Sequence, residues 1–155
     1  MKYYDIEVLS IPAGGTIDEV TKLGIYECPS EIAPYKSRGE HKPLFIAFRR
    51  EKGRVETLYK LSELISTPLA GAGYESAKEQ LDKNLVDRID GYKKLVNYNG
   101  NDDTTKWVFF LDLDRSIPLP NPVEYKRNNS FVETSRPLKD YFAKPNADGI
   151  VVFGD

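Results

Sequence analysis

The 155-residue chain has one cysteine, one histidine, one tryptophan and one methionine, and each scarcity removes a class of chemistry. Cys28 has no second thiol, so no internal disulfide can form. His41 has no second imidazole, so a zinc site built on the two would lack ligands. A lone histidine and a lone cysteine also leave nucleophilic or acid–base catalysis without a visible team. No apolar run approaches the roughly 18 residues that span a bilayer. Met1 to Leu9 shows no charged leader followed by an apolar core. With so little cysteine, the expected location is intracellular and cytoplasmic, with no membrane partner.

Net charge is also small, at −2, but its distribution is uneven. From Tyr35 to Lys60 there are eight Lys or Arg against three Glu, so the remainder of the chain is net acidic. The ten tyrosines suit both sheets and wet binding surfaces. Apolar residues make up 40% and charged residues 30%, the balance of one ordinary soluble domain. The expectation is a single domain over residues 1–155, whole or part of a larger protein.

The clearest local grammar lies between Lys42 and Ile65. Leu44 to Phe48 is a short apolar run rich in strand formers, and Val55 to Leu61 resumes the pattern. Between them Arg49, Arg50, Glu51, Lys52, Gly53 and Arg54 break it, with a glycine able to take positive φ. A hairpin follows, its tip crowded with three arginines and a lysine.

In chain order, Tyr3 to Leu9 alternates as a half-buried strand, and Ile11 to Gly15 breaks it. Thr16 and Glu19 have the form of a capping box for a short helix that ends at Gly24. Ala13 to Thr16 precedes that helix, but it lacks the lysine and spacing of a phosphate loop and reads as a turn. Ile25 to Cys28 is a strand. Ser30 to His41 is an irregular loop carrying Tyr35, Lys36, Arg38 and His41.

From Tyr74 to Val96 the apolar positions Tyr74, Ala77, Leu81, Leu85, Ile89 and Tyr92 repeat at steps of three and four. One long helix is predicted, with Gly91 as the place for a kink or early end. Asn97 to Thr105 is a polar turn without the ligand register of a calcium loop. Lys106 to Leu113 reads as a central strand, on which Asp112 and Asp114 share a face without the further ligands of a metal site.

Ile117 to Pro122 is predicted to be an extended edge segment or strap. Lys126, Arg127, Asn128 and Asn129 form a basic turn, followed by a brief strand at Phe131–Val132. Ser135 is placed to cap a one-turn helix starting at Arg136, with Leu138, Tyr141 and Phe142 turned inward. Gly149 to Phe153 is the last strand. The fold class expected is α+β: a strongly bent mixed β-sheet or small pseudobarrel flanked by helices.

The phrases Lys42-Pro43-Leu44-Phe45-Ile46-Ala47-Phe48, Glu56-Thr57-Leu58-Tyr59-Lys60-Leu61, Val108-Phe109-Phe110-Leu111-Asp112-Leu113 with Ile117-Pro118-Leu119-Pro120, and the short helix in Thr134 to Phe142 are similar in texture to the PUA-like superfamily. Within it the chain resembles the EVE and YTH-type reader domains over about residues 40–142. The resemblance implies a noncatalytic nucleic-acid-binding module that receives a modified or flipped base, as in modification-dependent restriction and defence systems. It departs from the YTH pattern in having Trp107 alone, which rules out a cage of several tryptophans.

The candidate contacts are Arg49, Arg50, Lys52 and Arg54 on the hairpin with Lys36 and Arg38 on the preceding loop, whose planar or pointed cations suit phosphate. Lys126 and Arg127 form a second patch, and Tyr26 or Tyr35 would stack on a base. No cofactor, metal ligand or catalytic residue is assigned. The partner expected is DNA or RNA. The alternative is a regulatory or protein-interaction domain, with partner domains or proteins, in a multidomain defence or processing system.

Overall fold

A computed structural model of the chain describes residues 8–13, 17–30, 42–126 and 134–154, without the side chains of Thr134 and Ser135. The fold is α+β on a mixed sheet. Its strands are β1 (Val8–Pro12), β2 (Ile25–Pro29), β3 (Phe45–Arg49), β4 (Arg54–Pro68), β5 (Thr105–Tyr125), β6 (Thr134–Arg136) and β7 (Val151–Phe153). The helices are α1 (Ile17–Leu23), α2 (Gly71–Lys78) and α3 (Lys83–Leu95). Strand order is β2-β5-β4-β3-β1-β6, with β7 pairing β5 beside that path. The β1–β3 and β5–β7 pairs are parallel, whereas β1–β6, β2–β5 and β3–β4 are antiparallel.

The chain divides into two compact units whose segments interleave. One comprises Met1–Ile17, His41–Leu61 and Asp112–Asp155, the other Asp18–Glu40 and Ser62–Leu111. In the first unit, Val8 of β1, Phe45 and Ala47 of β3, Val55 and Leu58 of β4, Val123 and Tyr125 of β5, and Val151 and Phe153 of β7 enter one core together with Tyr141. Strands that send alternate residues into a single core from so many sides must curl around it. In the second unit Ile25, Val108 and Phe110 from the β2–β5 pair meet Leu69, Tyr74 of α2 and Ile89 of α3. That is a sheet face covered by amphipathic helices.

Several local expectations hold. Helix α1 ends at Gly24, whose φ of 69° is the left-handed value a glycine stop supplies, and its amide donates to Val20 O at 2.7 Å. The hairpin between β3 and β4 is present, with Phe45, Ile46 and Ala47 opposite Lys60, Tyr59 and Leu58.

Other expectations are corrected. The single long helix is two helices, because Asp82 interrupts it: the Asn84 amide donates to Asp82 Oδ1 at 2.8 Å, starting α3 afresh. Gly91, the residue expected to mark a break, lies inside α3 with open space around it. Strand β1 runs through Ile11 and Pro12, which pair with Phe48 and Arg49 at its end, where a missing amide is tolerated. Strand β4 extends to Pro68, beyond the turn expected from Ser66 onward.

The proline strap is part of β5 itself: Pro118 and Pro120 take exposed positions while Ile117 and Leu119 pack toward the first core. Arg136 belongs to β6, and the following 3-10 turn spans Leu138–Phe142 with Pro137 at its cap. Tyr141 is turned inward as expected, but Phe142 is 45% exposed. The strand expected at Tyr3 to Leu9 lies mostly, and the Thr16 cap, the loop at 31–41 and the strand at Phe131–Val132 wholly, outside the described residues.

Two substitutions separate the cap from the glycine. Asp82→Ala removes the side-chain acceptor that caps the start of α3 and should cost about 1 kcal/mol in urea unfolding. Gly91→Ala, with nothing within 4 Å to clash, should stabilise by up to about 1 kcal/mol.

Candidate nucleic-acid interface

The hairpin tip is built by a 3-10 turn over Glu51–Gly53. The Arg50 amide donates to Arg54 O at 2.9 Å and the Gly53 amide donates to Arg50 O at 3.0 Å, which fixes the reversal. Gly53 has φ 71°, as the sequence leads one to expect, but Lys52 before it is also left-handed, at φ 59°. A non-glycine residue in that region costs of order 1 kcal/mol, and such strain tends to gather where a side chain has a task.

Arg50 and Lys52 are exposed. With Arg54, Glu51, Ile17 and Glu124 they line a surface hollow of about 420 Å³. Lys52 and Glu124 also line a second hollow, of about 550 Å³, together with Tyr125, Lys126 and Val152. The two hollows therefore share an edge and form one groove. Four cations border it: Arg50, Lys52, Arg54 and Lys126. Arg54 is partly engaged by Glu56, its Nε 3.3 Å from Oε1, in a pair exposed enough to be worth little.

Two of the expected contact residues lie elsewhere. Arg49 is 2% exposed; its Nη1 donates to Ser10 Oγ at 2.9 Å and its guanidinium lies 5.2 Å from the Tyr125 ring centroid. Alternation explains this: one residue inside the tip, the strand still points it into the core, and the charge is held there by a hydroxyl and a π face. Tyr26 is also buried, edge-on to Phe109 at 5.7 Å, and belongs to the second unit. Neither side chain reaches a ligand in this structure. Tyr35, Lys36, Arg38 and Arg127 lie outside the described residues, as does His41.

Glu124 was not among the sequence candidates, since the stretch after the proline strap has no obvious assignment. Its signal is the alternation Val123–Glu124–Tyr125: the two apolar neighbours are buried, so the carboxylate must face out. In the parallel register Glu124 stands beside Val152, which is 42% exposed.

The carboxylates considered for metal or catalytic work are occupied or dispersed. Asp112 Oδ2 lies 3.5 Å from Arg115 Nε, and Asp114 is exposed. Among the described residues no three His, Cys, Asp or Glu side chains converge to hold an ion. Trp107 stands opposite Cys28 in the β2–β5 pair. Compared with protein-family models, curated proteins and solved structures, the chain matches none.

The second unit holds a separate polar cluster. The Tyr92 hydroxyl donates to Glu27 Oε1 at 3.4 Å, the Tyr98 hydroxyl donates to Asp102 Oδ2 at 3.4 Å, and Lys106 Nζ lies 3.2 Å from the same Asp102 oxygen. Burial pushes the Glu27 carboxyl above the ordinary value of 4.5, against the opposing pull of Lys106 and the Tyr92 hydroxyl. Asp102 is held below its usual value, first by the Thr104 hydroxyl and then, against some burial, by the Thr104 amide and Lys106.

The sign for Glu27 follows from linkage. A carboxyl whose folded pKa is raised binds its proton more tightly in the folded state, so its contribution is full below about pH 4.5 and is lost as pH rises through the folded value. Glu27→Gln should therefore gain stability relative to wild type as pH goes from about 4 to about 7, read as a widening gap between urea midpoints. A constant gap would contradict the assignment.

Proposed function

We propose that this protein is a noncatalytic nucleic-acid-binding module that holds backbone phosphates along the groove at the hairpin tip. The observation that carries the reading is the border of that groove, where Arg50, Lys52, Arg54 and Lys126 come together from the β3–β4 turn and the end of β5. Sequence-distant cations gathered on one concavity are the electrostatic footprint of a phosphate chain.

The PUA-like reader resemblance is kept within this proposal, with DNA or RNA as partner and a cytoplasmic setting. No helix among the described residues is long and apolar enough to cross a membrane. The described groove contains no outward tyrosine to stack on a flipped base, so the reading rests on phosphate contacts rather than on an aromatic cage.

A second reading, a regulatory or protein-interaction domain, draws on a different surface. Phe142, 45% exposed, borders a hollow of about 600 Å³ with Pro137, Leu138 and Lys139. An exposed ring in such a setting suits a docking contact.

Fluorescence anisotropy with labelled single strands and duplexes distinguishes the two. Four phosphate contacts to a single strand predict affinity falling roughly fiftyfold between about 50 and about 200 mM salt. Lys52→Gly should weaken binding severalfold while folding stability stays equal or rises by up to about 1 kcal/mol, because glycine relieves the positive φ. Binding that ignores salt and Lys52, or no binding at all, would remove the phosphate reading in favour of docking.

A further inference from the structure

Two acids line the groove, Glu51 and Glu124, and phosphate binding alone calls for neither; only Glu124 is common to both hollows. Glu124 lines both hollows, with Lys52 also common to them, and Lys126 borders one while Arg50 and Arg54 border the other. The carboxylate is half-buried, and among the described residues it makes no ion pair or hydrogen bond, although cations stand around it. An acid at this position repels phosphate, so the backbone cannot settle over it. Each hollow thus has cations of its own, Lys126 in one and Arg50 and Arg54 in the other, with Glu124 and Lys52 where they meet. The matching arrangement on a strand is phosphate, hydrogen-bond donor, phosphate.

In a single strand the base donors available between two phosphates are on the pairing edge, which is open to the protein only when unpaired; in RNA the ribose 2′-OH is a further donor, the same for every base. A carboxylate accepts through two oxygens and donates nothing. Guanine alone among the common bases places two donors side by side on that edge, N1–H and the 2-amino group. Adenine and cytosine set one amino group beside a ring acceptor. Uracil and thymine set one N–H between two carbonyl oxygens, which a carboxylate repels.

We propose that Glu124 is a specificity-determining residue that reads guanine in single-stranded nucleic acid, accepting from N1–H and the 2-amino group while the flanking phosphates lie on the lysines and arginines. The inference rests on the phosphate reading above and adds the base that the groove selects. Glu124 sits on the outward side of β5, so its replacement leaves the core residues Val123 and Tyr125 in place.

The experiment measures binding of three short oligothymidylates that differ only at the central position: thymine, guanine or hypoxanthine, which keeps N1–H and lacks the amino group. The same set is repeated with oligouridylates to compare DNA with RNA. Wild type should prefer guanine over thymine by about tenfold or more, the range of a bidentate base contact, with hypoxanthine between them. Glu124→Gln should lose that preference while binding the all-thymine strand as well as wild type or better, since an acid has left a cationic groove. A thermal melt of the variant checks that it folds. Equal wild-type affinity for all three strands, or a guanine preference that survives in Glu124→Gln, overturns the base assignment and leaves phosphate binding standing. Failure of wild type to bind any strand overturns both.

Discussion

Strand β5 imposes the constraint from which most of the structure follows. Its 21 extended residues carry backbone donors and acceptors that must be paired wherever they are buried. The chain answers with β2 antiparallel along residues 106–110 and β7 parallel along residues 123–125, and with β4 as the neighbour that follows β5 in the sheet order. Because side chains alternate, this one strand supplies Val108 and Phe110 to one core and Val123 and Tyr125 to another. Of its three prolines, Pro118 and Pro120 fall on exposed positions and Pro122 on a half-buried one, so none takes a buried place in the pattern.

The same alternation sorts the charged residues of the hairpin. Arg49 is still inside the strand and is drawn into the core, where Ser10 and the Tyr125 ring receive it; Arg50, one residue later, is outside. Tyr125 in turn hydrogen-bonds Tyr141, and both rings stand edge-on to Phe153. The buried arginine thus belongs to an aromatic network under the hairpin's root. Such networks are costly to leave half satisfied, which ties the tip's geometry to the packing beneath it.

Much of this was legible beforehand. The α+β class, the hairpin, the Gly24 helix stop and the apolar face of α3 all depend on interactions between residues close in sequence, and local pattern reports those well. The break at Asp82 is not legible because apolar spacing continues across it: Leu81, between the helices, and Leu85, on α3, both pack against the second core, and a capping aspartate reads the same as a solvated one until its partner amide is seen. The reach of β4 and β5 was missed because polar and proline-bearing stretches become strands when a neighbour supplies the hydrogen bonds.

The candidate site shows the same division. Its sequence determined the density of positive charge between Tyr35 and Lys60, the tight turn at Gly53 and the absence of a tryptophan cage, since each is a matter of composition or of a few adjacent residues. Only the tertiary structure decided that Arg49 leaves the set and that Lys126 and Glu124 join Lys52, some seventy residues away along the chain. The physical reason is that a groove is made by strand register and by which face each residue takes. Those quantities are fixed by the pairing of β5 with its neighbours and by the cores on which it packs.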